Sequence, residues 1–398
     1  MDNLKSSILK HLYFHGTQSI AEVSDGIGKS IPLVTRAINE LMDDNLITEV
    51  GLRPSTGGRR AMNFALHTAK HGCLLGVAID QYSVSVNAFD LENKPLSLMI
   101  KRAIELKDEE DVYQTILAMI DSVIESIGGR EVLAIGITLP GFVDAQTGVN
   151  NSYNPLSSLF ALRDNIRKRY HIPTYIENDS SAIAIAEKYF GAAKSVEDAL
   201  VINLNWGVGL GMIIQGVLFR GHSGFAGEFS HIPLADESRL CSCGKKGCLE
   251  VEASLHCAID DIQQSLANGE RSYLEDVFSQ EKGIQFEHLL IAYEKGDQLT
   301  IRAIKKIAHM LGKGIATLIH ILNPQKIIVS GRGAAFGEAL VPQILSAVQE
   351  YCIPRLARQT KLEISEMNDV QMLASACIAV QQLEWNKKIK NQLSGTTA

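Results

Sequence analysis

The sequence predicts a two-part α/β chain: a small helical head closed by a β-hairpin, then a larger body of two similar α/β lobes. Three observations predict it. Residues 1–45 carry apolar side chains at helical spacing, and two strand patterns follow around a turn rich in glycine and arginine. Beyond about residue 71 the pattern changes to short buried strands and long amphipathic helices, in an order that occurs twice. The length of 398 residues suits two or three domains.

The head reads element by element. Leu4, Ile8 and Leu12 repeat at every fourth position and mark a first helix. A second opens at Ser19 with Glu22 three residues on, a capping-box pattern, and Gly28 can end it. Ser30 is the expected N-cap of a third, whose buried stripe is Val34, Ala37, Ile38 and Leu41. LITEV then reads as a strand, LRPSTGGRR as a turn and AMNFAL as the return strand. Three helices and a hairpin make a winged helix-turn-helix, assigned to residues 1–70.

The body follows. LLGVAID and VSVNAFD read as strands, residues 107–128 as an amphipathic helix, and VLAIGITLP as a buried strand. Later, DALVINLNWGVGLGMIIQGVLF supplies strands, residues 299–322 a long helix, KIIVSG a strand and residues 337–352 another helix. Two similar halves facing a cleft are expected. The tail NQLSGTTA is polar and expected to fray.

Bulk charge is −7, which argues against a polycation, although a small DNA reader on an acidic body would be masked by the average. Residues 1–66 carry seven basic and seven acidic residues, and Arg53, Arg59 and Arg60 cluster in the hairpin turn with no acid. No apolar run reaches the ~18 residues of a membrane span, and the first residues lack a signal-peptide pattern, so a cytoplasmic protein with no membrane insertion is expected.

Seven cysteines are present, an odd number, and Cys241, Cys243 and Cys248 crowd into CSCGKKGCLE. Three thiolates within eight residues, with Gly244 and Gly247 allowing sharp turns, can converge on one tetrahedral ion; His231, ten residues upstream of Cys241, is the natural fourth ligand. Four protein ligands leave no open position, so one structural Zn2+ per chain is expected. Free or redox-active thiols are the alternative reading.

Here a family resemblance enters. GFAGEFSHIPL followed by CSCGKKGCLE resembles the ROK family of repressors, open reading frames and sugar kinases. LPGFVDAQTGVNNSYNP resembles its Pro-Gly-x-Val-Asp strand and loop, YIENDSSAIAIAEKYFG its Glu-Asn-Asp helix start, and VSGRGAAFGEALVP its late glycine loop. The resemblance covers roughly residues 72–385. It implies a two-lobed, actin-like and sugar-kinase-like (ribonuclease H-like) domain over 71–398. Its lobes would be about 71–180 plus the C-terminal helix, and about 181–370, with the metal motif at 231–250. It also implies sugar contacts at Asn154, Asn178, Asp179, Glu228, His231 and Glu250. Amides and carboxylates suit hydroxyls, which donate and accept at once. The plainer readings are a helix-cap role for Asn178 or Asp179 and a solvated Glu228.

The winged head matches the repressor branch of the family, which includes regulators of xylose, glucose and N-acetylglucosamine genes. The expected function is therefore a sugar-responsive regulator, a repressor of carbohydrate uptake or catabolism genes. Its partners would be operator DNA, a sugar or sugar phosphate, and a second copy of the chain in a homodimer or tetramer. An ATP-dependent sugar kinase, resembling a glucokinase or an N-acetylmannosamine kinase, is the alternative, with Asp179 as general base. Family kinases carry an Asp-x-Gly-Gly-Thr-type turn where this chain has Ala78-Ile79-Asp80-Gln81-Tyr82, and a Gly-Thr-Gly-type turn where it has Asn205-Trp206-Gly207. The late loop, Gly331-Arg332-Gly333, keeps more of the family character. Two damaged phosphate loops argue against catalysis; the other reading of Gly207, Gly209 and Gly211 is a tight strand turn with no ligand. A third possibility is a repressor that docks a transporter protein.

For DNA, Ser30, Thr35, Arg36 and Asn39 lie off the buried stripe of the third helix, the part that enters the major groove in helix-turn-helix proteins. Arg36 can grip guanine and Asn39 adenine, or either can touch phosphate only. Arg59 and Arg60 at the wing suit a minor groove or flanking phosphates. A solvated loop and an ordinary helix surface are the plain alternative.

Overall fold

The computed structural model describes residues 2–52, 62–67, 72–236, 238–279, 283–383 and 385. These form two compact units. One comprises the described residues up to Asp179 and from Gln371 onward; the other is Ser180–Val370.

The head begins with α1 (Asp2–His15), β1 (Gln18–Ser19), α2 (Ile20–Gly26) and α3 (Ile31–Asp43). Ser19 and Glu22 close the capping box in both directions. Ser30 takes the extended N-cap backbone of α3, but its side chain makes no cap bond. The buried residues of α3 are the four its periodicity predicts. β2 (Ile47–Leu52) and β3 (Met62–Leu66) pair antiparallel, and β1 adds to the far side of β3, an extra strand too short for any pattern to reveal. The hairpin tip, with Arg59 and Arg60, lies outside the described residues.

In the same unit, β4 (Cys73–Ile79), β5 (Ser83–Phe89), β6 (Ile100–Ala103), α4 (Glu109–Ser126) and β7 (Val132–Leu139) follow. A small hairpin of β8 (Val143–Asp144) and β9 (Val149–Asn150), then α5 (Leu162–Tyr170) and β10 (Thr174–Asn178), complete the first lobe's forward run. The sheet order is β10-β7-β4-β5-β6. β4 and β7 are buried at every position, as expected of strands covered on both faces. Val112, Ile116, Met119, Ile120 and Val123 of α4 join their core.

The second unit holds α6 (Asp179–Phe190, after its first residue), β11 (Ala199–Leu204), β12 (Val208–Ile214) and β13 (Val217–Leu218). Then come α7 (Glu250–Ala253), α8 (Leu255–Ala267), α9 (Glu275–Phe278), α10 (Phe286–Glu294), α11 (Gln298–Leu322), β14 (Lys326–Ser330), α12 (Gly337–Tyr351), α13 (Pro354–Ala357) and β15 (Lys361–Ile364). Its sheet runs β15-β14-β11-β12-β13, the first lobe's order over again: a central first strand, an antiparallel pair on one side, parallel strands on the other. The predicted duplication is thus present in the hydrogen bonding itself. Gly312 lets α11 approach α12 closely, since a carbon there would fall 2.7 Å from Cβ of Ala347.

The chain returns to the first unit with α14 (Val370–Gln382). Gly76 of β4 and Gly136 of β7 make room for it: added carbons would meet Oγ and the backbone oxygen of Ser375 at 2.2 and 1.8 Å. α14 also carries the head. Lys10 of α1 donates to the Gln381 carbonyl at 2.8 Å, and the buried Tyr13 hydroxyl donates to Oδ1 of Asn93 in the turn after β5. Among the described residues no helix is long and apolar enough to cross a membrane.

Candidate functional site

The segment between β13 and α8 brings His231, Cys241, Cys243 and Cys248 together, with one ligand atom from each lying within 4.8 Å of the others. Nδ1 of His231 is 3.6 Å from Sγ of Cys241, and the sulfurs of Cys243 and Cys248 are 3.6 Å apart. A tetrahedral ion bound at ~2.3 Å would space two sulfurs by roughly 3.8 Å, so the set fits zinc. Burial pushes the Cys248 thiol up to about 12, while hydrogen bonding from the Lys245 backbone draws Cys243 down. An ion taking both as thiolates must displace protons. Turns at Gly244 and Gly247, both with positive φ, fold the loop back on itself.

Spacing alone missed what anchors this loop. Arg239 donates to Sγ of Cys257 at 3.1 Å and lies 3.6 Å from Asp261, both on α8. Lys313 of α11 donates to the Leu234 carbonyl at 2.9 Å. Nothing in local pattern marks these residues, because their partners are distant in the chain.

Beside the cluster, Oε2 of Glu228 lies 3.6 Å from Nε2 of His231, and Oε1 of Glu250 3.9 Å from Sγ of Cys241. One ring nitrogen of the imidazole thus meets the cysteines and the other a carboxylate. Three of the six expected sugar contacts, Glu228, His231 and Glu250, are therefore gathered in the second unit. The other three lie in the first. Asn178 ends β10 and Asp179 begins α6, and the Asn178 amide donates to the Gly141 carbonyl at 3.1 Å. Asn154 is exposed after the β8–β9 hairpin, its side-chain oxygen accepting from the Leu156 amide at 2.9 Å.

The three segments aligned with nucleotide loops make internal contacts. Asp80 accepts from the Tyr82 and Ser83 amides and the Ser83 hydroxyl, each at 2.7 Å, so it caps its own turn. Added carbons at Gly209 and Gly211 would strike Oγ of Ser180 at 1.9 Å and Cβ of Ala184 at 2.3 Å, so these glycines seat β12 on α6. The Arg332 guanidinium lies 5.5 Å from the Phe286 ring centre and 3.9 Å from Glu287.

On α3, Ser30, Arg36 and Asn39 are exposed and Thr35 is half-buried, its hydroxyl donating to the Ile31 carbonyl at 2.8 Å. Arg36 pairs with Glu40 at 3.1 Å, and Lys5 lies 3.3 Å from the same carboxylate. Ile31 and Leu33, which a search for polar readers passes over, are 53% and 41% exposed at the start of the helix. Apolar side chains there suit thymine methyl groups.

Comparison with known proteins agrees with both parts. The ROK family profile matches residues 85–382, and a profile described as winged helix-turn-helix DNA-binding matches residues 1–48. The DNA-binding transcriptional dual regulator NagC of Escherichia coli (strain K12) is 30% identical over 356 residues, 88% of this chain and 84% of that one. A xylose repressor of Caldicellulosiruptor bescii is 26% identical over 94% of each chain. Among solved structures, a ROK family transcriptional regulator homologous to the E. coli MLC protein superposes with a TM-score of 0.77 at 26% identity, over 98% of each chain. A glucokinase from Streptomyces griseus, in complex with glucose and AMPPNP, matches with a TM-score of 0.69 at 28% identity; it covers 78% of this chain and all of its own.

Proposed function

Because the chain belongs to the ROK family, we propose that it works as a sugar-responsive DNA-binding transcriptional regulator, a repressor of carbohydrate uptake or catabolism genes. The observation that carries this reading is the winged head joined to a body whose nucleotide-loop positions are occupied by the protein's own contacts. Phosphoryl transfer depends almost wholly on placing and neutralising phosphates, so turns closed on themselves argue against it.

In this reading Ser30, Thr35, Arg36 and Asn39 face the major groove, with Arg59 and Arg60 at the wing. Asn154, Asn178, Asp179, Glu228, His231 and Glu250 contact the sugar, and Asp179 accepts a hydroxyl proton in a hydrogen bond without removing it. One Zn2+ on His231, Cys241, Cys243 and Cys248 fixes the loop that ends in Glu250. The protein acts in the cytoplasm as a homodimer, since operators read by helix-turn-helix proteins are commonly two-fold and one winged head buries little DNA surface.

The test is a gel-shift titration against promoter fragments of sugar-uptake genes, with N-acetylglucosamine, xylose or glucose added in turn. One of these sugars, or its phosphate, is expected to change operator affinity. The kinase reading is supported by the retained Asp179 and the likeness to the glucokinase. Sugar-dependent ATP turnover that vanishes in Asp179→Asn, with no DNA binding, would establish it instead.

A further inference from the structure

Two glycines of the Gly207-Val208-Gly209-Leu210-Gly211 run are explained by their seat on α6. Gly207 is not. A carbon added there would sit 2.8 Å from Oε2 of Glu250 and 3.5 Å from Cδ of the same carboxyl group, and among the described residues beyond its own chain neighbours it would meet nothing else within 4 Å. Gly207 does not have a positive φ, so the backbone itself makes no demand for glycine.

The turn that holds Gly207 is fixed from behind. The carbonyls of Asn205 and Trp206 accept from the amides of Leu255 and His256, at 3.1 and 3.3 Å, at the start of α8. The Asn205 amide closes the turn on the Gly207 carbonyl at 2.9 Å. Asn205 and Trp206 are both buried. A rigid turn therefore lies against Oε2 of Glu250, while Oε1 of the same carboxylate faces Cys241 in the cysteine loop.

We propose that the Asn205-Trp206-Gly207 turn is a positioning element for Glu250, so that this turn, together with the metal loop, sets the affinity and selectivity of the sugar site. The inference rests on the sugar-binding reading given above. Its physical basis is preorganisation: a carboxylate held between two rigid walls loses little rotamer freedom when a hydroxyl arrives. A bare glycine is what lets the carboxylate lie against the turn. Residues at the position of a phosphate loop thereby serve the sugar end of the site.

Gly207→Ala tests this cleanly. The atom it strikes is the free end of a flexible side chain, so the fold survives and the carboxylate swings away. The sugar used is whichever of N-acetylglucosamine, xylose and glucose raises the melting temperature of the unaltered protein. Gly207→Ala is expected to weaken that sugar about 10- to 100-fold, the scale of a lost charged hydrogen bond, with zinc content and melting temperature unchanged. In a Glu250→Ala background the same change should have no further effect. A crystal structure of Gly207→Ala without sugar should show the carboxylate displaced and the turn in place. Additive losses in the two backgrounds, or a turn that moves while Glu250 stays, would overturn the positioning role and leave the sugar reading intact. If no sugar or sugar phosphate binds the unaltered protein, the sugar reading falls and this inference falls with it.

Discussion

At the scale of single residues, the proposed zinc ligands make the sharpest prediction. Purified protein never exposed to chelator should contain one zinc per chain by elemental analysis. Cys248→Ser should lose that zinc and bind sugar more weakly, because the loop it leaves slack ends in Glu250. Asp179 makes the second. With Asn in its place the carboxylate is gone but the shape is kept, so the ligand should bind about 1–3 kcal/mol more weakly in a calorimetric titration. The convergence of the three cysteines was legible because their spacing is local. Arg239 was not: its contacts with Cys257 and Asp261 exist only once α8 has been folded against the loop. Nor was the job of Gly207, whose neighbour Glu250 is remote in sequence.

At the scale of elements, the proposed reading of DNA by α3 can be tested on its exposed residues. Arg36 is held by Glu40, an exposed i,i+4 pair of little intrinsic strength, so the guanidinium can leave for a base or phosphate. Arg36→Ala should cost about 1–3 kcal/mol of operator binding and relax preference at one base pair, read by gel shift at several salt concentrations. The packing of α1 on α2 adds a pH dependence. Burial, followed by the nearby His15, lowers His11 to about 4, with Glu22 opposing, and its ring fills the space that Gly26 leaves open. The unfolded chain takes up that proton near pH 6.5 and the folded head does not. Stability is therefore complete above about 6.5 and declines as pH falls from there towards 4. Thermal melts across that range should show the decline, and His11→Gln should flatten it. The capping box of α2 and the apolar stripe of α3 could be read from sequence because each is complete within one or two turns. β1, two residues long, has no pattern to read, and the glycines on β12 left a damaged phosphate loop and a plain strand turn both open, because packing against α6 asks for the same residue type.

At the scale of the whole molecule, the repeat of elements was legible in two runs of strand, helix and strand, since each run carries its own hydrophobic signal; the sheet order they share is set by pairing that no local pattern shows. Assembly is tested by sedimentation at micromolar concentration: a dimer is expected with and without operator, and a monomer in both conditions would leave a two-fold operator unexplained. One feature of the first unit bears on how the protein comes into being. Its sheet and its head are made early, yet α14, which covers Gly76 and Gly136 and receives Lys10, is made near the end. At ordinary ribosomal speeds the second unit delays that helix by roughly 10–40 s. Through that interval the nascent head lacks its α14 contact and keeps only the one between Tyr13 and Asn93, and the face of the β4–β7 sheet that α14 covers is bare to chaperones. A message cut short anywhere in the second unit yields a DNA-reading head without its α14 anchor, so an unfinished repressor has lost one of the contacts through which to report on sugar.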